Sequence, residues 1–320
     1  MSATPLSVQA SATLRRRAAL ASVCVAIILG VAKSYATWTT HSIAMLGSLA
    51  DTALDLVASL VTLFAVRIAA QPADYDHRFG HGKAEALAAL FQMVLVTIAA
   101  GAIIFRSVER LGGGAAPAAF EDGVVVSVFA IVLTIALVRY QMHVVRATGS
   151  IAIHADNLHY RSDLVLNGAV IVALVLDGWA GLHGVDALFG ILIGLWLGWT
   201  ALRASMQAID QLMDKEWPIE KRERLLTLAA RHPMLAGIHD LRTRTSGTRD
   251  FVQFHLWMEP ELTLSRVHAI MEEIEAMLRA EFPHTDFLIH PDPVGHIDGT
   301  SPLVAQDARD VVAEEKAANP

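Results

Sequence analysis

From Ile43 to Val66 the chain is apolar or small at every position except Asp51 and Asp55, and this stretch restricts the fold more than any other. About twenty such residues cross the hydrocarbon core of a bilayer as a helix. Four helical residues advance about 6 Å and turn only about 40° past one revolution, so both carboxylates project from one face. A charge at that depth costs about 2.5–3.5 kcal/mol on insertion scales. Two like charges side by side cost more, unless a cation or a proton lies between them. A second pair answers the first. His159 and Asp163, again four apart, stand in Ala155-Asp-Asn-Leu-His-Tyr-Arg-Ser-Asp163, which leads into another apolar run. Either pair alone would serve as a helix cap or salt bridge. Together, three carboxylates and an imidazole from two helices form a four-ligand set for a divalent metal.

Composition agrees with a membrane protein. The chain has 320 residues, 54% of them hydrophobic, with a mean hydropathy of +0.44, above the balance of a water-soluble domain. Residues 1–210 carry 13 Lys+Arg and 13 Asp+Glu, and residues 211–320 carry 12 and 19. The net charge of −7 therefore sits wholly in the last third, which reads as an acidic, water-exposed domain after a neutral membrane part. That balance excludes a nucleic-acid partner, which needs a basic face. The single cysteine, Cys24, lies in an apolar run and has no second cysteine in the chain to pair with. Metal chemistry here must use histidine and carboxylate.

Residues 1–14 read as a disordered N-terminus. Arg15-Arg16-Arg17 before Ala18–Ala36 looks superficially like a signal peptide, but the run reaches spanning length and five more follow. The six spans lie at roughly 16–37, 42–69, 84–110, 122–145, 152–177 and 184–208, within a transmembrane domain of residues 15–210. One side of the membrane collects Arg15, Arg16, Arg17, Arg67, Arg78, Lys83, Arg139, Arg146 and Arg203, and the other has only Arg106 and Arg110. Both termini are then expected in the cytoplasm. Arg161, a turn inside the fifth helix, is expected to snorkel or to pair with Asp156.

The loop between the second and third spans offers Asp74, His77 and His81, three metal ligands in eight residues, with Gly80 and Gly82 allowing a tight fold. A solvated polar loop explains it equally well. After Gln211 the pattern changes to αββαβ: helix over Pro218–His232, strands at Ala236–Thr245 and Phe251–Met258, helix over Leu262–Phe282, and a strand at Thr285–His290. That order fits an α+β domain over residues 211–294, ferredoxin-like or metallochaperone-like, with helices on one face of a sheet. It holds His239, His255, His268, His290 and Asp292, which favours metal binding over scattered polar surface. Residues 295–320 are rich in Gly, Pro, Asp, Ala and Glu and read as a disordered tail.

With these residues assembled, the chain resembles the cation diffusion facilitator family, in particular its bacterial zinc/iron exporter type, from about Arg15 to Pro293. The marks are Asp51/Asp55 with His159/Asp163, Gln71-Pro-Ala-Asp74, Phe79-Gly-His-Gly-Lys-Ala-Glu85, His239-Asp-Leu-Arg-Thr-Arg244 and His290-Pro-Asp-Pro293. The resemblance implies a bacterial inner-membrane homodimer that exports divalent cations, zinc foremost, in exchange for protons. It implies a secondary transporter, not an enzyme, with no catalytic cofactor. It implies three metal sites: the transport quartet, the loop site, and a binuclear cytoplasmic site at His239, His255, His268, His290 and Asp292. Lys83 and Asp214 match a family charge pair linking the membrane and cytoplasmic parts. Relatives selective for zinc carry His at the first quartet position, so Asp51 implies weaker discrimination among zinc, iron, cadmium and manganese.

The residues themselves suggest the mechanism. Metal ligands must lose protons to bind, so metal and protons compete for the same atoms. An unperturbed histidine titrates near 6.5, within the range a cell maintains across its membrane. An intramembrane hydrolase is disfavoured, because the chain has no His-Glu-x-x-His or Gly-x-Ser-x-Gly and the quartet fills four positions. A membrane metal sensor that binds without transporting is the remaining alternative.

Overall fold

The computed structural model describes residues 8–40, 43–111, 124–180, 185–296 and 306–318. The chain divides into two units, Met1–Leu212 and Met213–Pro320.

Among the described residues the first unit is a bundle of six helices: α1 (Val8–Thr40), α2 (Ile43–Ala69), α3 (Ala84–Leu111), α4 (Val124–Thr148), α5 (Ile151–Ala180) and α6 (Val185–Leu212). Five described segments are long and apolar enough to cross a membrane: Gln9–Thr39, Ser48–Ala69, Ala84–Glu109, Val128–Thr148 and Ala187–Leu212. The remaining helix, α5, is 30 residues long and carries His154, Asp156, His159, Arg161 and Asp163 in its first half. Packing follows the rule for lipid. Ala58, Ala86 and Ala208 are wholly buried, while Phe64, Ile98 and Leu195 face outward at 59%, 63% and 58% exposure. Large apolar groups gain nothing by leaving a lipid solvent, so helix contacts select small residues that let backbones approach. Gly194 shows how close the approach is: a Cβ there would lie 2.5 Å from Ile104 Cγ1 and 3.1 Å from the Ala100 carbonyl oxygen. Any side chain at that position would push α6 off α3.

The second unit is α7 (Ile219–Ala229), β1 (Gly237–Ser246), β2 (Arg249–Met258), α8 (Leu264–Glu281), β3 (Thr285–Pro293) and a further helix, α9 (Ala308–Ala318). The sheet order is β1-β2-β3. β2 runs antiparallel to β1 and parallel to β3. Gly247 supplies the positive φ, 64°, that the turn from β1 to β2 requires. Along β2, Val252, Phe254, Leu256 and Met258 are buried while Gln253, His255 and Trp257 are only half-buried. This alternation turns one face to the core formed with Leu225 and Leu226 of α7 and Ile270, Ile274 and Leu278 of α8. His255 belongs to the other face.

Two expectations fail at the chain ends. Residues 8–14 are helical and extend α1 back from the first apolar run; residues 1–7 lie outside the described residues. In place of a wholly disordered tail, Asp307 Oδ1 accepts the Arg309 backbone N–H at 2.9 Å and starts α9. Ala308 and Val312 of α9 are buried in the domain core. Arg222 of α7 donates to Glu315 at 2.7 Å, and Lys316 donates to Glu223 at 2.7 Å. Only two buried residues hold α9, too few to show in composition. Its partner on α7 orders it.

Candidate metal-binding sites

Helix geometry brings the first cluster together. Asp55, His159 and Asp163 each offer a ligand atom, all within 4.8 Å of one another. The His159 Nε2–Asp55 Oδ1 distance is 2.9 Å. All three side chains are partly buried. Asp51, one turn up α2, is exposed and stands outside that cluster. The structure therefore assembles three of the four residues of the proposed quartet.

Beneath the cluster lies a polar layer that the sequence does not announce. Asp156, one turn before His159, is completely buried. Its carboxylate accepts from Ser22 Oγ at 2.5 Å, Gln92 Nε2 at 2.9 Å and Gln141 Nε2 at 2.7 Å. These donors come from α1, α3 and α4. The bonds supply what a buried carboxylate requires. Arg161 is exposed and is not the partner of Asp156. Tyr160 Oη, beside it, lies 2.9 Å from Ser59 Oγ. A second buried polar group ties α1 and α3 to the start of α5: Arg15 is ion-paired with Glu85, and Glu85 Oε2 accepts at 2.5 Å from Ser150 Oγ, just before α5. Ser22 and Gln92 stand out in the sequence as isolated polar residues in apolar runs, whereas Arg15, Glu85 and Asp156 lie among other polar residues.

The loop after α2 gathers Asp74, His77 and His81 within the same 4.8 Å. Asp74 Oδ1 accepts the His77 backbone N–H at 2.6 Å, and Asp74 Oδ2 lies 3.3 Å from His81 Nε2. The bond from the His77 backbone holds the Asp74 carboxyl below its ordinary value, and the neighbouring imidazoles act in the same direction. Gly80 has φ of +79°, the conformation that lets the loop double back and set His81 beside His77. Asp74 and His77 are open to solvent, so the geometry suits a labile site.

In the second unit, strand register does the assembly. His239 pairs directly with His255 across β1 and β2, and His255 pairs with His290 across β2 and β3. Directly opposed residues share a face, so the three imidazoles form one rung across the sheet. Ring centroids are 5.1 Å apart for His239 and His255, and 4.7 Å for His255 and His290. Asp292, two residues beyond His290, is buried at the centre. Its Oδ2 lies 3.1 Å from His239 Nε2 and 2.8 Å from His255 Nδ1, and its Oδ1 lies 3.3 Å from His290 Nε2. His239 is buried with neither ring nitrogen in a hydrogen bond of good geometry, which fits a metal ligand. Burial, with His255 alongside, holds the His239 imidazole below its ordinary value, although Asp292 opposes this.

Asp240 joins this group unforeseen. At a bulge in β1 with φ of +47°, it brings Oδ2 to 3.7 Å from His255 Nε2. His268 does not join it within one chain. It sits exposed on α8, 3.7 Å from Glu272 Oε1. Counting histidines could not separate those on the sheet from one on a helix surface. Lys83 Nζ donates to the Leu212 carbonyl at 3.1 Å, and Asp214 lies 3.4 Å from Arg244 Nη1.

Comparison with known proteins adds an independent line. The family model for the cation efflux transmembrane domain matches residues 19–213, and that for the cation efflux protein cytoplasmic domain matches residues 217–294. A cation-efflux pump FieF of Cronobacter sakazakii is 44% identical over 277 residues, 87% of this chain and 92% of that protein. Its namesake in Klebsiella pneumoniae is 42% identical over 285 residues, 89% and 95% of the two chains. A solved structure, the metal-bound C-terminal domain of CzcD transporter from Thermotoga maritima, matches at 18% identity with a TM-score of 0.23, covering 25% of this chain and 92% of that one.

Proposed function

The chain belongs to the cation efflux family, and on that premise we propose that it carries divalent transition-metal ions out of the cytoplasm in exchange for protons. Zinc is the foremost cargo, with iron, cadmium and manganese as further candidates. The observation that carries this reading is the cluster of Asp55, His159 and Asp163 inside the helical bundle, with ligand atoms within 4.8 Å. Two carboxylates and an imidazole bind a divalent ion only when deprotonated, so the cluster can trade a metal for protons. Asp51 lies one turn from Asp55 on the same face, within reach as the fourth ligand. The buried Asp156 carboxylate ties α5 to α1, α3 and α4 one turn from the cluster.

Purified protein in liposomes tests this directly. With an acidic lumen and metal outside, zinc should enter the lumen faster than when the gradient is collapsed, and protons should leave as it enters. Flux that ignores the gradient would indicate a channel. Tight binding without flux would indicate a sensor. Running zinc, iron, cadmium and manganese in parallel gives the order of preference.

We assign the rung of His239, His255 and His290 with Asp292 to a metal site of the cytoplasmic domain, which stabilises a homodimer whose acidic surfaces repel. His268 would have to reach this site from a second copy. Asp74, His77 and His81 form a peripheral site that modulates transport. Binding to the folded form alone adds RT ln(1 + [L]/Kd), about 2.7 kcal/mol at a hundredfold excess over Kd. A fragment spanning 213–320, which keeps α9 on its core, should therefore melt higher and associate more tightly with zinc. The metal-free fragment should also lose stability as pH falls below about 6.5, the ordinary histidine value. Its unfolded chain then takes up a proton at His239 that the folded domain, with that pKa depressed, refuses. Calorimetry and ultracentrifugation with and without zinc, from pH 8 to 5.5, check both. A fragment whose melting and association ignore zinc would remove the assignment.

A further inference from the structure

Lys33 lies on α1, in a segment otherwise apolar enough to cross a membrane, and nothing above uses it. Its Nζ donates to Thr52 Oγ1 at 2.6 Å and to the Ser48 carbonyl at 3.2 Å. Both partners are neutral oxygens, and both belong to α2. Ser48, Thr52 and Asp55 follow one another at spacings of four and three, the stripe of one helix face. Thr52 and Asp55 lie about 4.5 Å apart along the helix axis, so the ammonium is held about one turn along that stripe from the Asp55 position. The carboxylates near enough to act on its charge include Asp55, Asp51 and Asp163, all members of the proposed transport quartet. Thr52 is buried, which fixes the hydroxyl that holds the ammonium. Its position is built, unlike that of a lysine reaching for the membrane surface.

A divalent ion among these carboxylates would meet a unit positive charge a few ångströms away. Even at the dielectric constant of water, a double and a single charge about 7 Å apart repel enough to weaken binding roughly sevenfold, and a drier site raises the factor. A site weakened in this way releases its ion faster, because affinity differences between closely related sites lie mostly in the off-rate. We propose that Lys33 is a resident counter-cation of the transport site, which lowers the site's affinity for the metal and thereby speeds its release. The proposal rests on the transport reading above and adds to it a residue that sets the balance between binding and turnover.

The test compares Lys33→Gln, Lys33→Met and Lys33→Arg in the full-length protein, with Zn2+ as the probe. The two neutral variants should bind Zn2+ tighter by on the order of tenfold, and in liposomes show a lower KM together with a lower maximal rate. Lys33→Arg keeps the charge and should stay close to wild type in both. A lysine that merely pins α1 to α2 predicts the reverse: unchanged or weaker binding, and a KM that does not fall. That result in any neutral variant that elutes as folded protein overturns the proposal; Lys33→Met serves if Lys33→Gln fails to fold. The affinity gain must also vanish when Asp55→Ala and Asp163→Ala are added together, because a gain that then persists belongs to another site and overturns the proposal as well. If wild-type liposomes pass no metal, the transport reading falls by itself. The binding arm still decides whether Lys33 opposes a cation at Asp55.

Discussion

Replacing Asp55 with alanine should lower zinc flux by at least about a hundredfold while leaving a folded protein of unchanged assembly. Loss of a group that merely supports a metal ligand costs 10–100-fold in affinity or activity, so loss of a ligand should cost no less. Asp55 carries more of the cluster than its partners. It is the residue of α2 that meets His159, at 2.9 Å, and without it the remaining ligands of the three-residue cluster all come from α5. Two ligands on one helix cannot register the position of a second helix. Only Asp51, outside the cluster, would then tie the metal to α2, so the variant should lose most of the link between binding the metal and moving the bundle, as well as affinity. The fold should survive, because removing one of several neighbouring carboxylates relieves repulsion. Flux in Asp55→Ala liposomes comparable to wild type, with normal size-exclusion behaviour, would remove this cluster from the transport path.

The largest effect on stability is expected at Arg15. Read from the sequence, it is one of nine basic residues at a membrane face, where an exposed charge contributes about 1 kcal/mol at most. In the structure its side chain is 2% exposed, and that of its partner Glu85 is 3%. Ser150 donates to the same carboxylate. Removing one partner of such a pair leaves a bare charge where nothing can solvate it, at a cost of about 3–5 kcal/mol. Arg15→Met should therefore unfold far more easily than wild type in detergent, and Arg16→Met, an exposed neighbour, should be near neutral. The double variant Arg15→Met with Glu85→Met should recover most of the loss, because no unpaired charge remains. Denaturant titrations of the four proteins measure the difference. A double variant as unstable as Arg15→Met alone would mean that the loss comes from packing rather than from the stranded charge.

The parts of the site that were legible in the sequence share one property: they depend on the geometry of a single helix or a single tight loop. Asp51/Asp55 and His159/Asp163 are each four apart, and a helix turns that interval into a shared face without help from the rest of the chain. Asp74, His77 and His81 lie within one short loop whose glycine makes the turn. The six helices were legible for the same reason, since an apolar run of spanning length has few alternatives in a bilayer. The sheet was legible as strands, through the alternation of Val252, Phe254 and Leu256 with their outward neighbours.

What the tertiary structure decided lies between elements. His239, His255 and His290 are separated by 16 and 35 positions, and only strand register places them in one rung. A shift of one residue would have turned each imidazole to the opposite face. His268 looked equal to them in the sequence because composition carries no direction. Asp240 entered because a bulge re-aims its side chain, Asp156 because three other helices converge on it, and α9 because α7 supplies its ion-pair partners. Asp51 stayed outside the three-residue cluster although its spacing put it on the right face. A shared helix face limits where a side chain can reach, whereas its rotamer and its distance to another helix depend on how the bundle packs. Local periodicity follows from covalent geometry and can be read along the chain. Register, burial and the pairing of distant charges follow from the packing of the whole chain, and only coordinates display them.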